Sequence, residues 1–213
     1  MMLRKLNISF LIFAVCLLSV TVTNAQQSKN DKNYRDMIAE YNSGNKTKAY
    51  DIALSYKYAW NEAPKNVSKA IEWLDKAFDA GIYKSATMIG TIYRTADGVN
   101  LDYSKAEKYY KKAAAKGDEA AMIRLGQMYY YGSGVKENYA TAKKWYYEAA
   151  KKYADSKTKC SLACVFYADM NFYTSSNFKA NYPEALKWYE KAFRAGYTTT
   201  SNDRRWSVLP VCR

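Results

Sequence analysis

The residue types able to do chemistry in this chain are few. It contains no histidine, which removes the usual general base, the commonest metal ligand and the Ser–His and Cys–His nucleophile pairs together. Its 20 Asp and Glu residues could supply a carboxylate pair, but no spacing marks one. The phosphate-cradling patterns GxxxxGK[ST] and GxGxxG are absent, as is CxxC. What remains is sulfur. Cys160, Cys164 and Cys212 follow the N-terminal region, and an odd count leaves one thiol over once a disulfide forms. Cys160 and Cys164 fall one turn apart on a predicted helix, where disulfide torsions are met poorly. Cys212 is therefore the expected partner of one of them, with the tail folded back on the last helices. Three cysteines without histidine are too few for a metal site of ordinary kind, so no metal and no cofactor are expected.

The ends of the chain set the compartment. Arg4 and Lys5 precede the apolar run Phe10–Val20, and Thr23 and Ala25 stand at −3 and −1 of a cleavage site followed by polar residues. This is a secretory signal pattern over residues 1–25, which predicts an exported protein, periplasmic or secreted, with no transmembrane segment after cleavage. The net charge is +13. Lys and Arg are spread over the whole chain rather than blocked, so they read as solvated faces and give no reason to expect nucleic acid.

The elements that must position any site are written as a repeat. "TADGVNLDYSKAEKYYKKAA" (Thr95–Ala114) recurs as "YGSGVKENYATAKKWYYEAA" (Tyr131–Ala150), an offset of 36. "NVSKAIEWLDKAFDAG" from Asn66 and "NYPEALKWYEKAFRAG" from Asn181 supply two further copies. Asn66, Asp102, Asn138 and Asn181 are predicted to N-cap the second helix of each unit. Ala–aromatic–Ala triplets, such as Ala142, Trp145 and Ala149, fall on one helical face. Gly81, Gly117 and Gly196 are expected to end these helices in the left-handed region, and Tyr153 stands where repeat 3 lacks that glycine. Gly90 and Gly126 mark helix crossings, with an aromatic one turn on, and are tolerated inside a helix only if close packing repays them. Tyr93, Tyr129, Trp145 and Trp188 are read as core residues.

The predicted fold is all-α: a right-handed α-solenoid of about four helix–turn–helix repeats, period near 36, with extra terminal helices. Residues 26–47 form a linker and an extra helix. Repeats occupy 48–83, 84–119, 120–157 and 158–200, and 201–213 forms a capping tail. Ala121–Lys152 carries nearly the whole pattern A-x-x-x-L-G-x-x-Y-x-x-G-x-G-V…N-Y-x-x-A-x-x-W-x-x-x-A-A, and Ser85–Gly117 carries most of it. These residues resemble the Sel1-like repeat family, a branch of the tetratricopeptide-like helical arrays. The resemblance implies a non-catalytic scaffold for a protein or peptide. Cysteine-rich exported relatives carry paired cysteines in most repeats; one unit here has a pair, so no site is carried over from them.

Where the copies differ, function is expected. The first-helix stripe opposite the expected core reads Thr87, Thr91 and Arg94, then Ile123, Gln127 and Tyr130, then Cys160, Cys164 and Tyr167, with Arg124 and Tyr131 beside it. On the concave side of a helical array such a stripe suits a peptide, because Tyr offers contact area with a hydrogen-bonding tip. The second reading is an acidic surface polymer, a polysaccharide or lipid head groups, drawn to the basic chain. A hydrolase is the third, against which the missing histidine weighs.

Overall fold

The computed structural model describes residues 33–154, 162–173 and 179–196. Nine α-helices and no strand occur among them. They are α1 (Tyr34–Asn42), α2 (Lys48–Tyr58), α3 (Val67–Asp79), α4 (Lys84–Thr95), α5 (Tyr103–Ala114), α6 (Glu119–Tyr131), α7 (Tyr139–Ala150), α8 (Leu162–Phe172) and α9 (Tyr182–Arg194). The all-α repeat architecture is the predicted one. Helix α1 is the extra N-terminal helix, and α2/α3 to α8/α9 are the four helix pairs. The signal pattern, Cys160, Cys212 and the tail 201–213 lie outside the described residues. The chain divides into two compact units, the first ending at Trp73 and the second starting at Leu74, so the division falls inside α3.

Each second helix starts the same way. The side-chain oxygens of Asn66, Asp102, Asn138 and Asn181 accept from the amides of Lys69, Lys105, Thr141 and Glu184 at 2.8–3.2 Å. Each cap satisfies one of the helix's orphan donors. This geometry gives the "NVS" at Asn66 a structural purpose. The amide of each cap residue in turn donates to a carbonyl near the end of the preceding first helix: Tyr56, Tyr93, Tyr129 and Asn171, at 2.7–3.1 Å. One backbone bond thus folds each hairpin. The glycines beyond the second helices adopt positive φ, 89° at Gly81, 81° at Gly117 and 89° at Gly196. Where repeat 3 lacks such a glycine, α7 runs into a 3-10 turn over Lys151–Tyr153.

The core confirms the close crossings and moves the aromatic that fills them. A Cβ on Gly90 would stand 2.7 Å from the Tyr110 ring, and one on Gly126 would stand 2.4 Å from the Tyr146 ring. Tyr110, Tyr146 and Tyr189 are buried, as is Leu74 at the same position of the first repeat. The residues one place earlier are less enclosed: Trp73, Tyr109 and Trp145 are half-buried, and only Trp188 is fully inside. Tyr93 and Tyr129, expected in the core, are also half-buried. The reason is geometric. A helix face about 100° wide includes a neighbour of the triplet as well as the triplet, and the glycine opposite selects that neighbour. Removing such a ring would cost about 3–5 kcal/mol.

In the first unit, Met37 of α1 packs with Ile52 and Tyr56 of α2 and with Ala63 and Ala70. Tyr41 meets Trp73 edge to face at 4.9 Å. In the second unit, one buried group built on Phe78 and α4–α6 and another built on α7–α9 share the half-buried Met122, so neighbouring repeats pack through it.

Candidate functional site

The first-helix stripe is partly structural. Thr87 is buried, and its hydroxyl donates to the Asp118 carboxylate at 2.8 Å. The same oxygen accepts from the Ala121 amide and so caps α6. Thr87 therefore braces the start of the next repeat and offers no free hydroxyl. One turn on, the Thr91 hydroxyl donates to the Thr87 carbonyl at 3.0 Å and lies 3.1 Å from the Tyr110 hydroxyl. With Thr91 already donating, Tyr110 is the donor in that contact, and the ring that fills the Gly90 crossing is tied to the stripe.

Past Thr87 the stripe on α4 is half-buried rather than buried. Arg94 is half-buried, and its Nε is buried with no hydrogen-bond partner among the described residues. On α6, Arg124 Nη1 donates to Gln127 Oε1 at 3.0 Å, both half-buried. Ile123 packs inward against buried residues of α7, α8 and α9.

The aromatic part of the stripe gathers between repeats 3 and 4. Tyr130 meets Tyr131 edge to face at 4.9 Å and Tyr139 at 5.2 Å. Burial raises the Tyr130 phenol above its ordinary pKa, with smaller contributions from Tyr131 and Asp169, so it stays a neutral donor and acceptor. Tyr131 is 70% exposed. Tyr167 packs against Tyr147 at 5.1 Å and Trp188 at 5.4 Å, with the Lys143 ammonium 5.9 Å from its ring. Cys164, on the same helix as Tyr167, is buried and disulfide-bonded. The other cysteines of the chain, and hence its pairing, lie outside the described residues.

Two further contacts were not foreseen from the sequence. Tyr129 donates to Glu107 at 2.8 Å and Tyr109 to Asp75 at 3.0 Å, each linking neighbouring helix pairs. The repeat carries no signal for them: the places equivalent to Glu107 are Ile71 and Lys143, and those equivalent to Asp75 are Lys111 and Tyr147. No group of three His, Cys, Asp or Glu side chains among the described residues could hold a metal.

The Sel1 repeat family model matches residues 49–82, 84–118, 119–153 and 161–197. The chain belongs to the Sel1 repeat family. These four Sel1 matches take in α2 through α9 and leave out α1. Among solved structures, a Sel1 repeat protein from Oxalobacter formigenes is similar at 24% identity and TM-score 0.63, over 76% of this chain and 63% of that one. A protective antigen present in uropathogenic Escherichia coli strains, displaying an SLR fold, is similar at 30% identity and TM-score 0.64, over 77% of this chain. The match spans one third of that antigen's length, 33%. No curated protein matches the chain. Sel1 repeat proteins generally mediate protein–protein interactions and are typically non-catalytic scaffolds. Their recurrent residues in this chain are the caps, crossing glycines and buried rings already described.

Proposed function

We propose that this Sel1 repeat chain is an exported, non-catalytic scaffold that binds a protein or peptide through the first-helix face of α4, α6 and α8. The observation that carries the reading is the aromatic end of the stripe, where Tyr130 packs edge to face on Tyr131 and Tyr131 is 70% exposed, with half-buried Arg94 on the same stripe. A guanidinium and neighbouring tyrosines are the residue types in which interface energy concentrates. Arg94 would take a peptide carbonyl or carboxylate. Tyr130, Tyr131 and Tyr167 would supply apolar area with hydroxyl tips, and Arg124 with Gln127 would supply polar contacts. Thr87 and Thr91 act behind this surface by holding α6 and Tyr110.

The test is quantitative affinity capture from the envelope or secretome of the source cells, using the wild type, an Arg94→Ala/Tyr131→Ala variant and Lys108→Ala on exposed α5 as a control. Loss of the same captured partner by tenfold or more in the double variant alone supports the face. Equal capture by all three places binding elsewhere. A second reading, adhesion to an acidic surface polymer, draws on outward Lys105, Lys108, Lys111 and Lys112 of α5. Three of these are ion-paired with Asp102, Glu107 and Asp75, which weakens it. Its mark would be retention that falls steeply with added salt.

A further inference from the structure

The turn between α2 and α3 carries an aromatic pair that the fold does not use. Trp60 is 55% exposed and Tyr58 is 45% exposed. Their rings stack on each other, centroids 4.8 Å apart and planes 29° from parallel. The Lys57 ammonium lies 4.4 Å from the Tyr58 ring centre. Such a stack leaves an indole face to solvent. Most large aromatics among the described residues are buried or half-buried, and Tyr58 and Trp60 are among the exposed ones.

The backbone that presents the pair is unusual and tightly held. Ala59, Asn61 and Glu62 have φ of 56°, 53° and 63°, a region that non-glycine residues rarely occupy. Asn61 Nδ2 donates to the Ser55 hydroxyl at 3.1 Å, and the Asn61 carbonyl accepts from the Tyr34 amide at 3.1 Å. The Trp60 amide donates to the Ser55 carbonyl at 3.0 Å, and its carbonyl accepts from Ala63 at 2.9 Å. Asn33 Nδ2 donates to the Glu62 carboxylate. Left-handed residues fixed from several sides hold the rings in one orientation, which is what a preformed binding platform requires.

We propose that the Trp60–Tyr58 pair is a stacking platform for the pyranose rings of a saccharide, separate from the peptide-binding face. A flat indole face matches the C–H face of a sugar whose hydroxyls are equatorial, as in β-linked glucose or N-acetylglucosamine. A partner peptide would need side-chain pockets beside the ring, whereas Tyr58, Ala59, Glu62, Pro64 and Lys65 around Trp60 are themselves exposed. An anionic membrane would need a local excess of positive charge. Residues 33–73 hold six Lys and Arg against five Asp and Glu, and a lipid interface has no need of a fixed ring orientation.

The full chain would be run in affinity electrophoresis and titrated with cellohexaose and chitohexaose, comparing wild type, Trp60→Ala, Trp60→Tyr and the Arg94→Ala/Tyr131→Ala variant. Binding of either oligosaccharide that falls at least tenfold in Trp60→Ala, is partly kept in Trp60→Tyr and is untouched in the double variant supports the platform. Circular dichroism identical to wild type shows that Trp60→Ala still folds. No saccharide binding at millimolar concentration, or binding indifferent to Trp60, overturns the proposal. So does a Trp60→Ala defect confined to vesicles of anionic lipid. The double variant separates this outcome from the fate of the peptide-binding face.

Discussion

Between α6 and α7 the chain turns on Gly132 and Gly134, with φ of 66° and 73°; between α2 and α3 it turns on Ala59, Asn61 and Glu62, with φ of 56°, 53° and 63°. Both turns leave a first helix through the left-handed region and deliver the chain to an Asn cap. The glycine turn does so in order to pack. A Cβ on Gly134 would stand 2.0 Å from the Tyr103 Cβ at the start of the previous second helix, so repeat 3 rests on repeat 2 at that point. The non-glycine turn lacks that freedom and is held by side-chain hydrogen bonds from Asn33 to Glu62 and from Asn61 to Ser55. It lifts two aromatic rings into solvent instead. Equivalent turns can therefore serve cohesion or display, and the residues at two or three left-handed positions decide which.

The largest expected effect comes from Gly134→Ala. Left-handed strain and a clash with an atom that cannot swing aside together cost about 3 kcal/mol. Thermal unfolding followed by circular dichroism would then shift down by roughly 6–12 °C. A shift under 2 °C would break the claim that this turn is a packing element. Next in size, Asn138→Ala and Asn66→Ala should each lose about 1 kcal/mol, read from urea unfolding midpoints. Similar losses would show that the two hairpins start their second helices alike, despite the different turns before them.

Ala59→Gly should have the opposite sign to Gly134→Ala. It relieves left-handed strain but adds freedom to the unfolded chain, so a net gain of about 0.5 kcal/mol is expected. A loss in the same urea measurement would mean that the turn is not strained at Ala59.

The smallest effect concerns acid. Burial pushes the Glu107 carboxyl up, but hydrogen bonds from Lys111 and Tyr129 and the Lys111 charge outweigh it, so its folded pKa lies below the ordinary value. A depressed folded pKa gives stability that is present above the unfolded glutamate pKa and is lost as pH falls through the folded one. Glu107→Gln should therefore flatten the fall in stability below about pH 4.5 and change little at neutral pH. An unchanged acid limb would remove Tyr129–Glu107 from the contacts that tie repeats 2 and 3.

Much of this fold was legible because its signals are local. Asn66, Asp102, Asn138 and Asn181 announce helix starts through their own side chains, and Gly81, Gly117 and Gly196 announce ends through backbone freedom. The register of repeats 2 and 3 followed from a 36-residue offset. The Ala–aromatic–Ala spacing points one place early, because the choice between Tyr109 and Tyr110, or Trp145 and Tyr146, is made by a facing helix. Thr87 looked like a surface residue for the same reason: its Asp118 partner belongs to the next repeat. Tyr58 and Trp60 were passed over because the three left-handed residues that hold them out carry no glycine.

The bond that closes each hairpin runs from a cap-residue amide to a carbonyl at Tyr56, Tyr93, Tyr129 or Asn171, and it is made entirely of main-chain atoms. Such a clasp does not read the letters on either side of it. Duplication could copy the unit and leave the intervening stretch free to drift without unfastening the hairpin. A protein engineer inherits the same freedom wherever the stretch between clasp points is not itself packed, as Gly134 is against Tyr103.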